Sequence, residues 1–349
     1  MTALPSPSTA HPSPAAHPAD LSFELLGEVR GWRSGVELQL GAPRQRALLA
    51  VLLLRAGSPV GRDHLIDGIW GDTTVLDGAN LVQAYVSKLR KLFEPDRAPR
   101  TAGGVLTRVG ASYRLSIEPG QCDLGRFEQS VADARALRAA GQPEVAERTL
   151  ADALASWPGP ALTGVAGPLL DVERTRLAEL RLAVVEEHAE LSLELGGHAR
   201  LVPHLLVLTA EHPYRERLWA LLMVALYRGS RQADALAAYQ RARHTLMENL
   251  GLLPGPELRG IEEAILGGRP DPFARLTPAG TTGSAPGRDG LGGAPAASYG
   301  VTPEPGRPHL TLVDSAPLVA PAPVPVPVPR AATAATRGPW ADSAARLAR

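Results

Sequence analysis

The chain has 349 residues, with 36 Lys+Arg against 36 Asp+Glu and one cysteine, Cys122. That length holds two domains of ordinary size. A lone cysteine excludes an intramolecular disulfide and a multi-cysteine zinc site and suits a reducing cytoplasm, and a zero net charge argues against a general polyanion binder.

Residues 1–20 carry five prolines, with no positive n-region and no apolar h-region, and read as a disordered arm rather than a signal peptide. Leu21–Gly27 and Val36–Leu40 alternate apolar and polar residues, with Gly31 and Gly35 as punctuation, which predicts short antiparallel strands. Pro43 opens a helix over Arg44–Arg55 that ends at Gly57, with Ala47, Leu48, Val51, Leu52 and Leu54 as its core face. A second helix is expected near Arg62–Trp70, stopped by Gly71, and a loop over Asp72–Gly78 follows.

The next segment, Asn80–Phe93, is amphipathic at helical period. Val82, Tyr85, Val86, Leu89, Leu92 and Phe93 fall within one arc of about 120°. Asn80, Ser87, Lys88 and Lys91 lie on the other side with small Ala84, and Gln83 and Arg90 sit nearer the edge. After Pro95 and Pro99, two alternating segments around a Gly/Ala/Ser turn predict a hairpin ending near Ile117.

Charge is unevenly placed along the chain. Residues 21–118 hold 13 cationic against 10 acidic residues, residues 119–268 hold 15 against 20, and residues 269–349 hold 8 against 5. Within the first block Lys88, Arg90, Lys91, Arg97, Arg100, Arg108 and Arg114 face only Glu94 and Asp96. Strands, helix, helix, loop, helix and hairpin are the order of a winged helix-turn-helix with an added N-terminal sheet. In that arrangement the third helix enters the major groove and the hairpin reaches toward the backbone or minor groove. Amide, hydroxyl and cationic side chains on one face suit base edges and phosphates. The bland alternative is a solvated face on an ordinary core helix.

Residues 119–268 read as helical almost throughout, with a tetratricopeptide-like period of 34 residues. With the terminal proline at Pro158, Ala134, Leu137, Ala146, Leu150 and Ala153 take the small or apolar positions. With Pro213, Ala189, Leu205 and Leu208 fit, and one period later Trp219, Leu222, Ala235, Tyr239 and Ala242 fall into register. A helix over Leu169–Leu182 is expected as an insertion between the first two units, and Trp157 and Trp219 are read as core. The tail, 269–349, holds 15 of the 33 prolines and is expected to be disordered, with polyproline II character around Pro321–Pro329.

The fold class expected is therefore an α+β winged helix-turn-helix over 21–118, then an all-α tetratricopeptide-like domain over 119–268, between disordered termini. Phosphate-loop, dinucleotide, zinc-protease and nucleophile-elbow motifs are missing, and His188, His198, His204 and His212 do not share metal-ligand spacing. We expect no enzyme, no cofactor and no metal. No run of about 18 apolar residues occurs, so no membrane partner is expected.

Several segments also resemble a known family. Pro43–Leu54, Leu65–Gly71, Gln83–Arg90 and Tyr113–Leu115 resemble the OmpR-type winged helix of the Streptomyces antibiotic regulatory proteins. Trp157–Leu162, Glu211–Leu218, Ala225–Arg228, Arg231–Arg243 and Leu250–Pro256 are similar to that family's bacterial transcriptional activation domain. The resemblance implies a pathway-specific activator of a secondary-metabolite gene cluster, cytoplasmic and on the nucleoid. Such a protein binds promoter direct repeats of double-stranded DNA as a homodimer and recruits RNA polymerase. It also implies that Gln83, Ala84, Ser87, Lys88 and Lys91 face the groove, that Arg90 contacts the DNA backbone and that Arg108 is the wing arginine. Asn80 and Arg114 complete the expected DNA-binding set. The alternative is a helical-repeat scaffold, or a ligand-sensing regulator with weak DNA binding.

Overall fold

The computed structural model describes residues 21–71, 77–95, 104–157, 159–269 and 271–272. The expected arm, the expected tail beyond 272, most of the 72–78 loop, and Arg97, Arg100 and Pro158 lie outside the described residues.

The chain begins with an antiparallel sheet of β1 (Leu21–Glu24), β2 (Arg30–Arg33) and β3 (Val36–Glu37), in register Phe23↔Gly31 and Trp32↔Glu37. Sequence reading passes over β2 because Gly31 looks like a break. Its role is room: a Cβ there would stand 3.1 Å from the Phe23 ring, which is fully buried. Helix α1 (Pro43–Leu54) starts on Pro43 as expected. It was expected to be amphipathic, but every residue from Ala47 to Leu53 is buried, and Leu54 is only half-buried. The reason is that α1 contacts the winged-helix elements and also a helix of the second half.

A short strand, β4 (Pro59–Gly61), precedes α2 (Arg62–Trp70), and α3 runs over Gly78–Phe93. The hairpin strands β5 (Leu106–Val109) and β6 (Ser112–Leu115) join β4 in a sheet of order β4-β6-β5. Three residues are too few for period-two alternation to reveal β4.

The second half contains α4 (Asp123–Ala139), α5 (Pro143–Ala155), α6 (Pro168–Glu194), α7 (His198–Glu211), α8 (Glu216–Arg228), α9 (Gln232–Leu250) and α10 (Pro256–Leu266). The repeat positions behave as read: Ala134, Ala146, Leu150, Ala189, Leu205, Trp219, Leu222, Ala235, Tyr239 and Ala242 are all buried, as is Trp157. One expectation changes. The inserted helix and the first helix of the second unit are a single 27-residue helix, α6. No Gly or Pro interrupts it after Pro168, so the chain has nothing to break it at Leu182.

Helix α6 serves two cores. Leu170, Leu177, Val184 and Leu191, seven apart, join a core that includes the whole winged helix together with α4 and α5. Leu182, Ala189 and Leu193 join the core of α7–α10. At 100° per residue these stripes lie roughly 150° apart around the helix. Between them stand buried glutamates, each held by arginines. Arg135 meets Glu187 at 2.9 Å, Arg138 meets Glu190 at 3.4 Å, Arg217 meets Glu190 at 3.0 Å, and Arg215 meets Glu186 at 2.8 Å.

The two halves are joined by backbone as well as by side chains. The N–H groups of Leu25 and Leu26 donate to the Asp123 carboxylate at 2.8 and 2.9 Å, and that of Leu124 donates at 2.7 Å. The Leu162 and Thr163 N–H groups donate to the carbonyls of Leu25 and Gly27, each at 2.9 Å. Gly167 passes so close to α2 that a Cβ would sit 2.6 Å from the Gly68 carbonyl oxygen. Asp123→Ala leaves those buried N–H donors without an ionised acceptor. It is expected to cost about 2–4 kcal/mol in urea unfolding of the full chain, with Asp123→Asn recovering part of the loss.

Candidate nucleic-acid interface

Helix α3 is positioned by its apolar side. Val82, Val86, Leu89 and Phe93 are buried, and the Phe93 ring meets Phe23 edge-on with centroids 5.5 Å apart. Tyr85 stacks on Trp70 of α2 at 6.3 Å and 7° between planes, which fixes the helix pair. At the first turn, Asp77 takes a left-handed conformation with φ 69° and accepts a 2.7 Å hydrogen bond from the Asn80 amide. At the last turn, the Arg33 guanidinium donates to the Leu92 carbonyl at 3.0 Å.

With the apolar stripe committed, the opposite face is left to solvent. Asn80, Gln83, Ala84, Ser87, Lys88 and Lys91 are all exposed. They form one surface of amide, hydroxyl and ammonium groups around a small alanine, so a groove wall can approach the helix backbone there. Arg90 is different. It is half-buried, and its Nε donates to the Leu106 carbonyl at 2.8 Å, tying α3 to β5.

Strand register sorts the hairpin cations. Arg108 pairs with Tyr113 across the hairpin and Leu106 pairs with Leu115, so these residues share a face. Leu106 and Leu115 enter the same core as Val86 and Leu89. Arg108, nearer the tip, is exposed, and its Nε donates to the Gly110 carbonyl at 2.9 Å. Arg114 pairs with Thr107 and so points to the opposite face, half-buried, with its Nε buried and lacking a hydrogen-bond partner. The structure therefore groups Arg108 with the α3 side and sets Arg114 apart from it. Arg62 is a cation that sequence reading missed. Its N–H donates to the Ala111 carbonyl in the hairpin turn at 3.2 Å, which brings the start of α2 beside the wing. Only the β4–β6 pairing, invisible in the sequence, brings these segments together.

Among the described residues no group of three or more His, Cys, Asp or Glu side chains is placed to hold a metal ion. Cys122 is buried, and burial, followed by the Asp123 charge beside it, pushes its thiol up to about 12, away from the thiolate form. Among the described residues no helix is long and apolar enough to cross a membrane.

Comparison with known proteins gives the same order of domains. Residues 35–115 match the family model described as transcriptional regulatory protein, C terminal, and residues 122–266 match the bacterial transcriptional activator domain. The chain is 42% identical over 260 residues to regulatory protein AfsR of Streptomyces griseus, covering 74% of this chain and 26% of that protein. It is 33% identical over 258 residues to regulatory protein DnrI of Streptomyces peucetius, covering 72% of this chain and 93% of that protein. The chain thus spans about a quarter of the length of AfsR and nearly all of DnrI. Among solved structures, Mycobacterium tuberculosis EmbR in complex with a low affinity phosphopeptide matches with a TM-score of 0.69 and 38% identity, over 73% of this chain and 67% of that one.

The geometry separates a brace from contact positions. Arg90→Ala is expected to lower unfolding stability by about 1–3 kcal/mol through the Leu106 carbonyl it abandons. Lys88→Ala, on the free face, should stay within about 0.5 kcal/mol. Denaturant titration of both variants checks the distinction.

Proposed function

This chain belongs to the Streptomyces antibiotic regulatory protein family, and from that premise we propose that it is a site-specific DNA-binding transcriptional activator. It binds promoter direct repeats as a homodimer, recruits RNA polymerase, and governs a secondary-metabolite gene cluster from the cytoplasmic nucleoid. The observation that carries this reading is the exposed face of α3, with Gln83, Ser87, Lys88 and Lys91 on a helix whose other side is locked into the core.

The side chains suggest how such a site divides its work. Gln83 is suited to an adenine edge, and Lys88 and Lys91 to guanine acceptors or phosphates. Ala84 and Ser87 are short, so much of the affinity rests on backbone contacts and on pairing of two copies. Arg108, exposed at the wing, is placed for a phosphate or the minor groove, and Asn80 for the strand entering the site. For Arg90, one guanidinium edge holds β5 while the group as a whole lies at the rim of the helix face, as a phosphate contact requires. Arg114 fits a backbone contact least well, because strand register turns it away from α3.

Fluorescence anisotropy of the full chain on fragments upstream of the operons flanking its gene tests the proposal. Lys88→Ala and Arg108→Ala should each weaken binding roughly tenfold. Each lost phosphate contact should flatten the dependence of log K on log salt by about 0.9. Unchanged affinity and slope in the double variant would sink the reading.

A further inference from the structure

Arg135 and Arg138 of α4, Arg217 of α8 and Arg215 just before that helix pair with glutamates of α6. The opposite situation holds where α5, α6 and α7 meet. There they flank a half-open cavity of about 600 Å³, within the usual range for a small-molecule site. Its apolar wall includes Leu154 of α5, Val185 and Ala189 of α6, and Leu201 and Leu205 of α7. Its polar lining holds three arginines, Arg148, Arg181 and Arg200, with the imidazoles of His188 and His204, against the single carboxylate of Glu147.

None of these three arginines has a carboxylate partner among the described residues. The Nε of Arg181 and the Nε2 of His188 are both buried without a hydrogen-bond partner. His188 Nε2 lies 3.3 Å from Glu147 Oε1, an ion-pair distance without hydrogen-bond alignment. Burial holds the His188 imidazole below its ordinary range. Glu147 pulls against that shift, and His204 and Arg200 add to it. A chain that pairs its arginines on one side of α6 leaves a cluster unpaired around a cavity on the other. Buried donors without acceptors are costly, and an anion supplies the missing acceptors.

We propose that this cavity binds an amphipathic organic anion, with an acidic head group among Arg181, Arg200 and His188 and an apolar body against Val185, Ala189 and Leu205. The inference stands apart from the DNA-binding reading, since none of its residues belongs to α3 or the hairpin.

Calorimetric titration of the full chain tests it, with decanoate and 1-naphthoate as probes and decanol and decylamine as controls. At least one of the two carboxylates should bind with 1:1 stoichiometry, and the alcohol and amine should bind at least tenfold more weakly than decanoate. Arg181→Gln and Arg200→Gln should each weaken the carboxylate by about tenfold to a hundredfold. Ala151→Leu, which narrows the cavity from α5, should weaken both probes while leaving DNA affinity unchanged. Should Arg181→Gln fail to fold, the exposed Arg200→Gln carries the same test. The proposal is overturned if neither carboxylate binds, if decanol or decylamine binds as tightly as decanoate, or if the arginine variants leave the affinity unchanged.

Discussion

Helix α6 must satisfy two hydrophobic cores at once, and the rest of the molecule is arranged around that demand. Its two apolar stripes face different ways, so rotation about its axis would expose one of them. The glutamates between the stripes add a second lock. Glu190 is almost completely buried and is held from two directions, by Arg138 on α4 and Arg217 on α8. Removing one partner of such a buried pair leaves an uncompensated charge, at a typical cost of about 3–5 kcal/mol. These pairs are better understood as fixing the registry of α4, α6 and α8 than as a net source of stability, because hydrophobic replacements of the whole set are often neutral.

The local elements were legible where periodicity or punctuation marks them. Pro43 and Gly71 bound their helices as read, and the polar face of α3 followed from spacing alone. What the sequence hid were long-range matters. Gly31 looks like a turn residue until the Phe23 ring is seen against it. The unbroken apolar run from Ala47 to Leu54 signals burial on all sides of α1, but not what provides it: part of the cover is α6, more than a hundred residues later. The continuity of α6 was obscured by a repeat template that expected a boundary inside it.

The candidate site divides in the same way. Counting charges puts Arg108 and Arg114 in one basic cluster, six residues apart on a short hairpin. Strand register places them on opposite faces, because period two governs a strand and an even separation across a two-residue loop reverses the side. Arg90 was read as a contact to the DNA backbone, and its Nε is committed to the Leu106 carbonyl. Sequence supplies the inventory of polar groups near a surface, and packing decides which of them keep their hydrogen-bonding capacity for a partner.

The junction between the halves bears on how this architecture can be cut and recombined. A linker boundary near residue 118 looks natural in the sequence, but the physical seam does not run there. The segment after β1 donates from Leu25 and Leu26 to Asp123 and accepts from Leu162 and Thr163, and α2 rests against Leu169 at a glycine. A chimaera that joins this winged helix to another protein's helical half inherits a mismatched seam unless the exchanged piece extends through the start of α6. By the same reasoning, a larger side chain on one side of that seam, at Gly68 for example, has to be met by a smaller one on the other, at Leu169.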